Sequence, residues 1–282
     1  MSIARLKLAT LAALASLAVT AAHAADMPLP PPAEPCCSSW YLRGFVGVGL
    51  THSDQMQYIQ NPANAGTDFR IDTSSISDAN FIGGAVGYNW NKWLRFDGSI
   101  EYRSKARVDA FGHYTVACTD PAGTLLVGGT CLDTYQGYVR SWVGLANAYV
   151  DLGTWWCLTP FVGAGIGGAY NQITNFYDIN TTTSGFGFGR NTAEWHMAYA
   201  VYAGLAYNVS QNLKIDFSYR YLNYGSATDT IDCVGGCNPD SYKFGNLYSH
   251  DFMIGLRWTC CDVEQPRTVY APPPPPPLHS RG

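Results

Sequence analysis

The feature that most constrains this chain is a period-two alternation of apolar with polar or small residues, recurring in eight segments. It occurs in a sequence whose interior holds no apolar run of about 18 to 20 residues, so helical membrane spans are excluded. Period two belongs to a strand whose faces meet different surroundings. The third segment is the clearest: Leu94, Phe96, Ile100 and Tyr102 alternate with Arg95, Asp97, Ser99, Glu101 and Arg103. The first sets Trp40, Leu42, Val46, Val48 and Leu50 against Tyr41, Arg43, Phe45, Gly47 and Gly49. Others run over about Phe81 to Trp90, Leu158 to Tyr170, Glu194 to Val209, Leu213 to Tyr221 and Tyr248 to Trp258. The fourth, about Tyr138 to Leu152, is ambiguous in phase and is read with Trp142, Ala146, Ala148 and Val150 outward. Frequent glycine within many of these segments disfavours helix.

Eight is an even number, as a closed outer-membrane meander requires. The connections alternate in length: Thr51 to Ala79, Ser104 to Gly137, Asn171 to Ala193 and Gly225 to Asn246 are long. Asn91 to Trp93, Gly153 to Cys157 and Ser210 to Asn212 are short. Long surface loops alternating with tight periplasmic turns mark a transmembrane barrel, whereas a soluble sandwich has no reason to keep every second turn tight. Six of the eight tryptophans, Trp40, Trp90, Trp93, Trp155, Trp156 and Trp258, fall at the short-turn end, and Trp142 and Trp195 near the other rim. Indole prefers the bilayer interface, so this reads as an aromatic girdle. The expected fold is all-β, an eight-stranded antiparallel up-and-down transmembrane β-barrel in the bacterial outer membrane.

Residues 1–24 read as a cleaved signal peptide: Arg5 and Lys7, an apolar stretch from Leu8 to Val19, then Ala22-His23-Ala24. A Pro-rich periplasmic lead (25–39), the barrel (40–258) and a Pro-rich periplasmic tail (259–282) follow. Charged residues make up only 13% and the formal net charge is −4, so no nucleic-acid partner is expected. Export places the nine cysteines in an oxidising compartment.

The stretches Trp40-Tyr41-Leu42-Arg43-Gly44, Gly83-Gly84-Ala85-Val86-Gly87-Tyr88-Asn89-Trp90, Ala146-Asn147-Ala148-Tyr149-Val150-Asp151 and Pro160-Phe161-Val162-Gly163-Ala164-Gly165-Ile166-Gly167 carry a resemblance. So does the lead beginning Ala25-Asp26-Met27-Pro28. With these the chain resembles the opacity-protein-like outer-membrane surface antigens of alphaproteobacteria, eight-stranded members of the porin superfamily. The resemblance implies a structural envelope protein with exposed loops; some members of that family are small porins, adhesins or haem binders. Chains of the family usually stop on an aromatic residue, whereas here Trp258 is followed by 24 more residues.

The inward faces carry Arg43, Arg95, Asp97, Glu101, Arg103, Glu194, His196, Lys214, Asp216, Arg220, Asp251 and Arg257. They either line a pore or form a plug of ion pairs. The plug is preferred, because an eight-stranded barrel holds little beyond its own side chains and buried charges must be paired. No catalytic site, cofactor or metal is expected. His196 with Glu194 and His250 beside Ser249 and Asp251 do not make a nucleophile array, because His250 faces opposite to both neighbours. His52 with Met56 and His113 with Tyr114 are slender metal or haem candidates in loops. Cys118 with Cys131 and Cys233 with Cys237 are expected to form loop disulfides. At least one bridge is expected between Cys36-Cys37 and Cys260-Cys261 across the closing seam. The third long connection holds Asn175-Phe176-Tyr177 and Gly185 to Arg190, which serve either partner recognition or an extension of the barrel by strands. Expected partners are outer-membrane lipid and lipopolysaccharide, with peptidoglycan or a host surface as candidates for the tails and loops.

The expected role is support of the envelope and display of surface loops, without enzyme activity. A narrow porin and a loop-mediated adhesin or ligand-binding barrel are the alternatives.

Overall fold

A computed structural model of the chain describes residues 39–62, 68–115, 118, 122–125, 128–233 and 239–259. Residues 1–38 and 260–282, which include the expected signal segment, nearly all of both expected Pro-rich tails and Cys36, Cys37, Cys260 and Cys261, lie outside the described residues, as does Cys237. Among the described residues there are thirteen strands: β1 Trp40–His52, β2 Gln57–Ile59, β3 Arg70–Ile76, β4 Ala79–Asn89, β5 Leu94–Tyr114, β6 Cys131–Asp151 and β7 Leu158–Asn180, then β8 Phe186–Gly189, β9 Ala193–Asn208, β10 Leu213–Asn223, β11 Ala227–Cys233, β12 Asp240–Phe244 and β13 Tyr248–Thr259.

Eight of them close a ring in the order β1–β4–β5–β6–β7–β9–β10–β13, every pair antiparallel. The first and last strands meet with Tyr41 opposite Thr259 and His52 opposite Tyr248. Closure leaves no free edge in the ring, which is what lets backbone cross a bilayer with its amides satisfied. Outward positions are apolar: Leu42, Val46, Ile82, Ile100, Val201 and Ile254 are all exposed. Trp142, Ala146, Ala148 and Val150 take the outward phase of β6. Inward, small and large residues interlock across the ladder. A Cβ added at Gly87 would run into the Tyr41 ring, and one at Gly83 would stand 2.5 Å from the ring of Phe45.

Two aromatic rims bound this apolar surface. At the short-turn end all six tryptophans are exposed. At the opposite end Tyr102 lies 5.0 Å from Trp142 and Tyr170 5.1 Å from Trp195, ring centre to ring centre. That rim continues through Tyr199, Tyr221, Tyr248 and His52.

The long connections differ from the loops expected, except the third, where the alternative of strands extending the barrel holds in β7 and β8. Strands β5 and β6 have 21 residues and β7 has 23, whereas crossing the bilayer takes about 9–11. Their outer halves leave the membrane and change partners: β5 takes β3 in place of β4, and β7 takes β8 in place of β9. The outer sheet runs β3–β5–β6–β7–β8–β11–β12–β2. Much of what reads as loop in the four long connections is therefore strand. The cause is the surroundings: above the rim the outside is water, so the alternation inverts and Val108, Ala110, Val139 and Ile173 turn inward. On β5 an irregularity between Arg103 and Ala106 switches the inward phase from odd to even positions. On β7 the switch of partner coincides with Asn175, whose φ of 52° allows the chain to bulge.

Candidate functional site

The lumen inside the bilayer holds a connected set of ion pairs. Its centre is a square of Glu101, Arg103, Arg220 and Asp251 from β5, β10 and β13. Arg220 donates to both Glu101 oxygens at 2.7 Å and to Asp251 at 2.6 and 2.9 Å. Arg103 donates to Asp251 at 2.8 and 2.9 Å, to Glu101 at 3.2 Å and to the Ser249 hydroxyl at 2.8 Å. Ser249 in turn donates to Asp251. Both guanidinium groups stack over Phe81, at 4.9 and 5.0 Å from the ring centre.

Toward the periplasmic end Arg43 pairs with Asp97 at 3.2 Å and donates to Tyr149 at 2.9 Å. Asp97 also accepts from Tyr41 at 3.0 Å and from Asn147 at 2.7 Å, whose own carbonyl accepts from Tyr202 at 2.9 Å. Arg257 pairs with Asp216 at 2.9 Å. Arg95 pairs with Asp151 at 3.1 Å rather than with Asp97 or Glu101, and its guanidinium lies 4.0 Å from the Tyr149 ring centre. Five guanidinium groups thus face five carboxylates, and the cluster is neutral. Such closure is what a low-dielectric interior demands of buried charge.

Three of the twelve charged or histidine positions expected to face inward, Glu194, His196 and Lys214, stand apart from this cluster. Glu194 and His196 share the inward phase of β9 but lie near the outer rim, half-exposed, 3.4 Å from each other. The Ser226 hydroxyl is 3.4 Å from the same His196 nitrogen. Lys214, near the periplasmic end of β10, is half-buried and makes no ion pair among the described residues. In each case the strand parity is inward but the position is at a mouth, where water can reach. Conversely, the cluster also takes in Asp151, Tyr41, Tyr149, Asn147, Tyr202 and Ser249, to which the sequence assigns no part in the charge network. Strand parity marks all six as inward-facing, and their polar tips were the available signal.

Outside the membrane the lumen has a different filling. Met56, Val108, Tyr135, Ile173, Phe176, Tyr242 and Phe244 are buried together. Tyr135 lies 4.8 Å from Tyr242 and 6.1 Å from Phe176, ring centre to ring centre, and Phe69 and Tyr58 pack at the edge. At the top of this cap, inward carboxyls of β6 and β7 sit diagonally: Asp133 is opposite Asn180, and Asp178 opposite Tyr135. Burial pushes the Asp133 carboxyl up to about 6; burial, helped by the charge of Asp133, pushes Asp178 up to about 8.

Cys118 and Cys131 are joined in a disulfide and both are buried. Cys157, in the β6–β7 turn, is an exposed free thiol. His52 stacks outward on Tyr248 while Met56 is buried in the cap, so the two do not converge. His113 pairs with Asp72 at 2.8 Å. His250 faces outward and shares a 2.7 Å hydrogen bond with Tyr219, away from Ser249 and Asp251. Among the described residues no three His, Cys, Asp or Glu side chains gather as metal ligands.

A closed antiparallel ring with an apolar exterior, two aromatic rims and a polar lumen defines a transmembrane β-barrel. Residues 9–259 match the family described as the outer membrane protein beta-barrel domain, and the chain belongs to that family. The protein is an outer-membrane protein. It is 30% identical to an uncharacterized protein of Brucella abortus (strain 2308), across 85% of this chain and 93% of the relative. It is 29% identical to the outer membrane protein PagN of Salmonella typhimurium over 44% of this chain and 51% of that one. Among solved structures, OprG of Pseudomonas aeruginosa aligns with 79% of this chain and 97% of its own, at 10% identity and a TM-score of 0.43.

Proposed function

We propose that the protein is a non-catalytic and non-conducting barrel that supports the envelope and displays a rigid extracellular surface as an antigen. The observation that supports this reading is the filling of the lumen. The neutral Glu101–Arg103–Arg220–Asp251 square lies across the membrane level, and the aromatic cap around Tyr135, Phe176 and Tyr242 lies above it. An ion entering such a lumen would have to break several charge-assisted hydrogen bonds at once. Bilayer recording of refolded, monodisperse protein tests it: the reading expects no unitary steps, and steady ohmic conductance would replace it with the narrow porin. A second reading, loop-mediated adhesion, draws on the β8 segment, where Phe186 and Phe188 are exposed beside Tyr177 on the outer sheet. Replacing both phenylalanines by serine would abolish binding to host cells in that case and leave the barrel folded.

A further inference from the structure

The outer rim is chemically lopsided. On β9, β10, β13 and β1 it presents Tyr199, Tyr221, Tyr248, His250 and His52, with no lysine or arginine. On β5 and β6, by contrast, the outward face just above the Tyr102–Trp142 pair carries Lys105, Arg107 and Arg140.

These three cations are held in place and remain largely unneutralised. Arg140 donates through Nε to Gln172 at 2.8 Å, which leaves its two terminal nitrogens for another acceptor. Lys105 Nζ stands 5.7 Å from the centre of the Tyr138 ring. Tyr138 is directly opposite Arg107, and Arg140 is opposite Gln172 on the next strand. Arg107 pairs with Asp109 at 2.8 Å, and among the described residues that is the only carboxylate within ion-pair distance of any of the three. The face therefore carries an excess of two positive charges.

Depth decides what can meet it. Arg140 is two residues beyond Trp142 on the same face, roughly 7 Å along the strand. With a strand tilt near 40°, that is about 5 Å along the membrane normal. The headgroup layer on each side of the hydrocarbon is about 5 to 7 Å thick, so the guanidinium lies at headgroup level. This rim is the one joined by long connections, hence the extracellular one, where the outer leaflet of phosphorylated glycolipid ends. At that level a cation neither pays to enter hydrocarbon nor is fully screened by water.

We propose that Lys105 and Arg140, with Arg107 beside them, form a docking site for the phosphate of an outer-leaflet glycolipid of the lipid A type. The acyl chains would lie along the apolar outer faces of β5 and β6 below Tyr102 and Trp142. The planar guanidinium suits two-point contact with a phosphate, and the lysine adds a mobile second charge. The consequence is an oriented barrel, with one face held against glycolipid and the histidine–tyrosine face left to neutral contacts.

The test uses the full chain in phosphatidylcholine nanodiscs, with bound lipid counted by native mass spectrometry during titration. The probes are bis-phosphorylated lipid A, its dephosphorylated form, and phosphatidylglycerol. Lipid A should bind about tenfold more tightly than the dephosphorylated form, and more tightly than phosphatidylglycerol. The double variant Lys105→Gln/Arg140→Gln should lose that advantage, Lys105→Arg should keep it, and Arg190→Gln, whose partner Asp232 lies far along the outer sheet, should change nothing. Equal binding of all three lipids by the wild type would overturn the proposal without any variant being made. An unchanged preference in the folded double variant, or equal affinity for phosphatidylglycerol, would also overturn it. Should the double variant not fold, the two single variants and the wild-type lipid comparison still decide.

Discussion

The membrane-spanning and extracellular parts of this barrel share three long strands, β5, β6 and β7, yet they are filled in opposite ways. Within the membrane β5 turns Ile100 and Tyr102 outward and Glu101 and Arg103 inward. A few residues farther on it turns Lys105 and Arg107 outward and Val108 and Ala110 inward. The chain runs straight through from one region to the other, interrupted only by a bulge and a change of partner strand at the rim, where the solvent outside changes from lipid to water. Lipid outside forces polar side chains into the lumen, where they must neutralise one another. Water outside allows the ordinary arrangement, with an aromatic core inside and charge on the surface. One consequence is that the two regions should fail by different routes.

The largest effect is expected in the lumen. Asp251→Leu removes the carboxylate shared by Arg103 and Arg220 and leaves two guanidinium groups with only Glu101 between them. Unpairing a buried charge costs about 3 to 5 kcal/mol. The urea midpoint of the heat-modifiable folded band should fall accordingly, and an unchanged midpoint would mean that the interior charges do not hold the barrel.

Next comes the disulfide, which belongs to the outer region alone. Cys118 and Cys131 close a loop with a sequence separation of 13, for which the chain-entropy treatment allows up to ~3 kcal/mol. Reduction should loosen amide protection in the outer halves of β5 and β6 and leave the folded gel band in place. Loss of that band on reduction alone would erase the distinction between the two regions.

The pH response is smaller and confined to the same cap. Asp133 and Asp178 hold their protons to about 6 and about 8, above the ordinary carboxylate value of 3.8. A native state that keeps protons the unfolded chain has lost is favoured at low pH, and that contribution drains away as the pH rises through those two values. Hydrogen exchange at the outer ends of β6 and β7, corrected for its intrinsic pH dependence, should therefore accelerate from about pH 4 to about pH 8 and level off above it. Asp178→Asn should flatten the upper part of that rise. A cap more labile in acid than in base would show that the two carboxyls are ionised in the native state.

The smallest effect is expected on the lipid face. Ile100 is exposed to lipid, which asks only for apolar bulk, so Ile100→Leu should cost less than about 1.5 kcal/mol. If its urea midpoint fell as far as that of Asp251→Leu, the in/out assignment of β5 would be wrong.

The eight spanning segments, their inward and outward faces and the tryptophan rim were legible in the sequence because each depends on local parity. Leu94 to Arg103 alternates so regularly that no partner strand is needed to tell lumen from lipid. Parity says nothing about height, however. Glu194 and His196 have inward parity as surely as Glu101 does, and only the closed ring shows that they stand at a mouth. Nor does parity choose partners. Arg95 reaches Asp151 on the next strand, and Asp97, two residues along, pairs with Arg43 from β1. In the third long connection the alternative of strands extending the barrel holds, in β7 up to Asn180 and in β8; the other outer strands escaped the sequence reading because their alternation runs with reversed polarity and, on β5, with shifted phase after Arg103. What the sequence by itself determined was which side chains each strand sends to each face, a property of backbone pleat and solvent preference. The pairing of charges, the cap of aromatics above them and the depth of every residue were decided only by the tertiary structure, because ring closure, register and the position of the membrane relate residues that are distant in the chain.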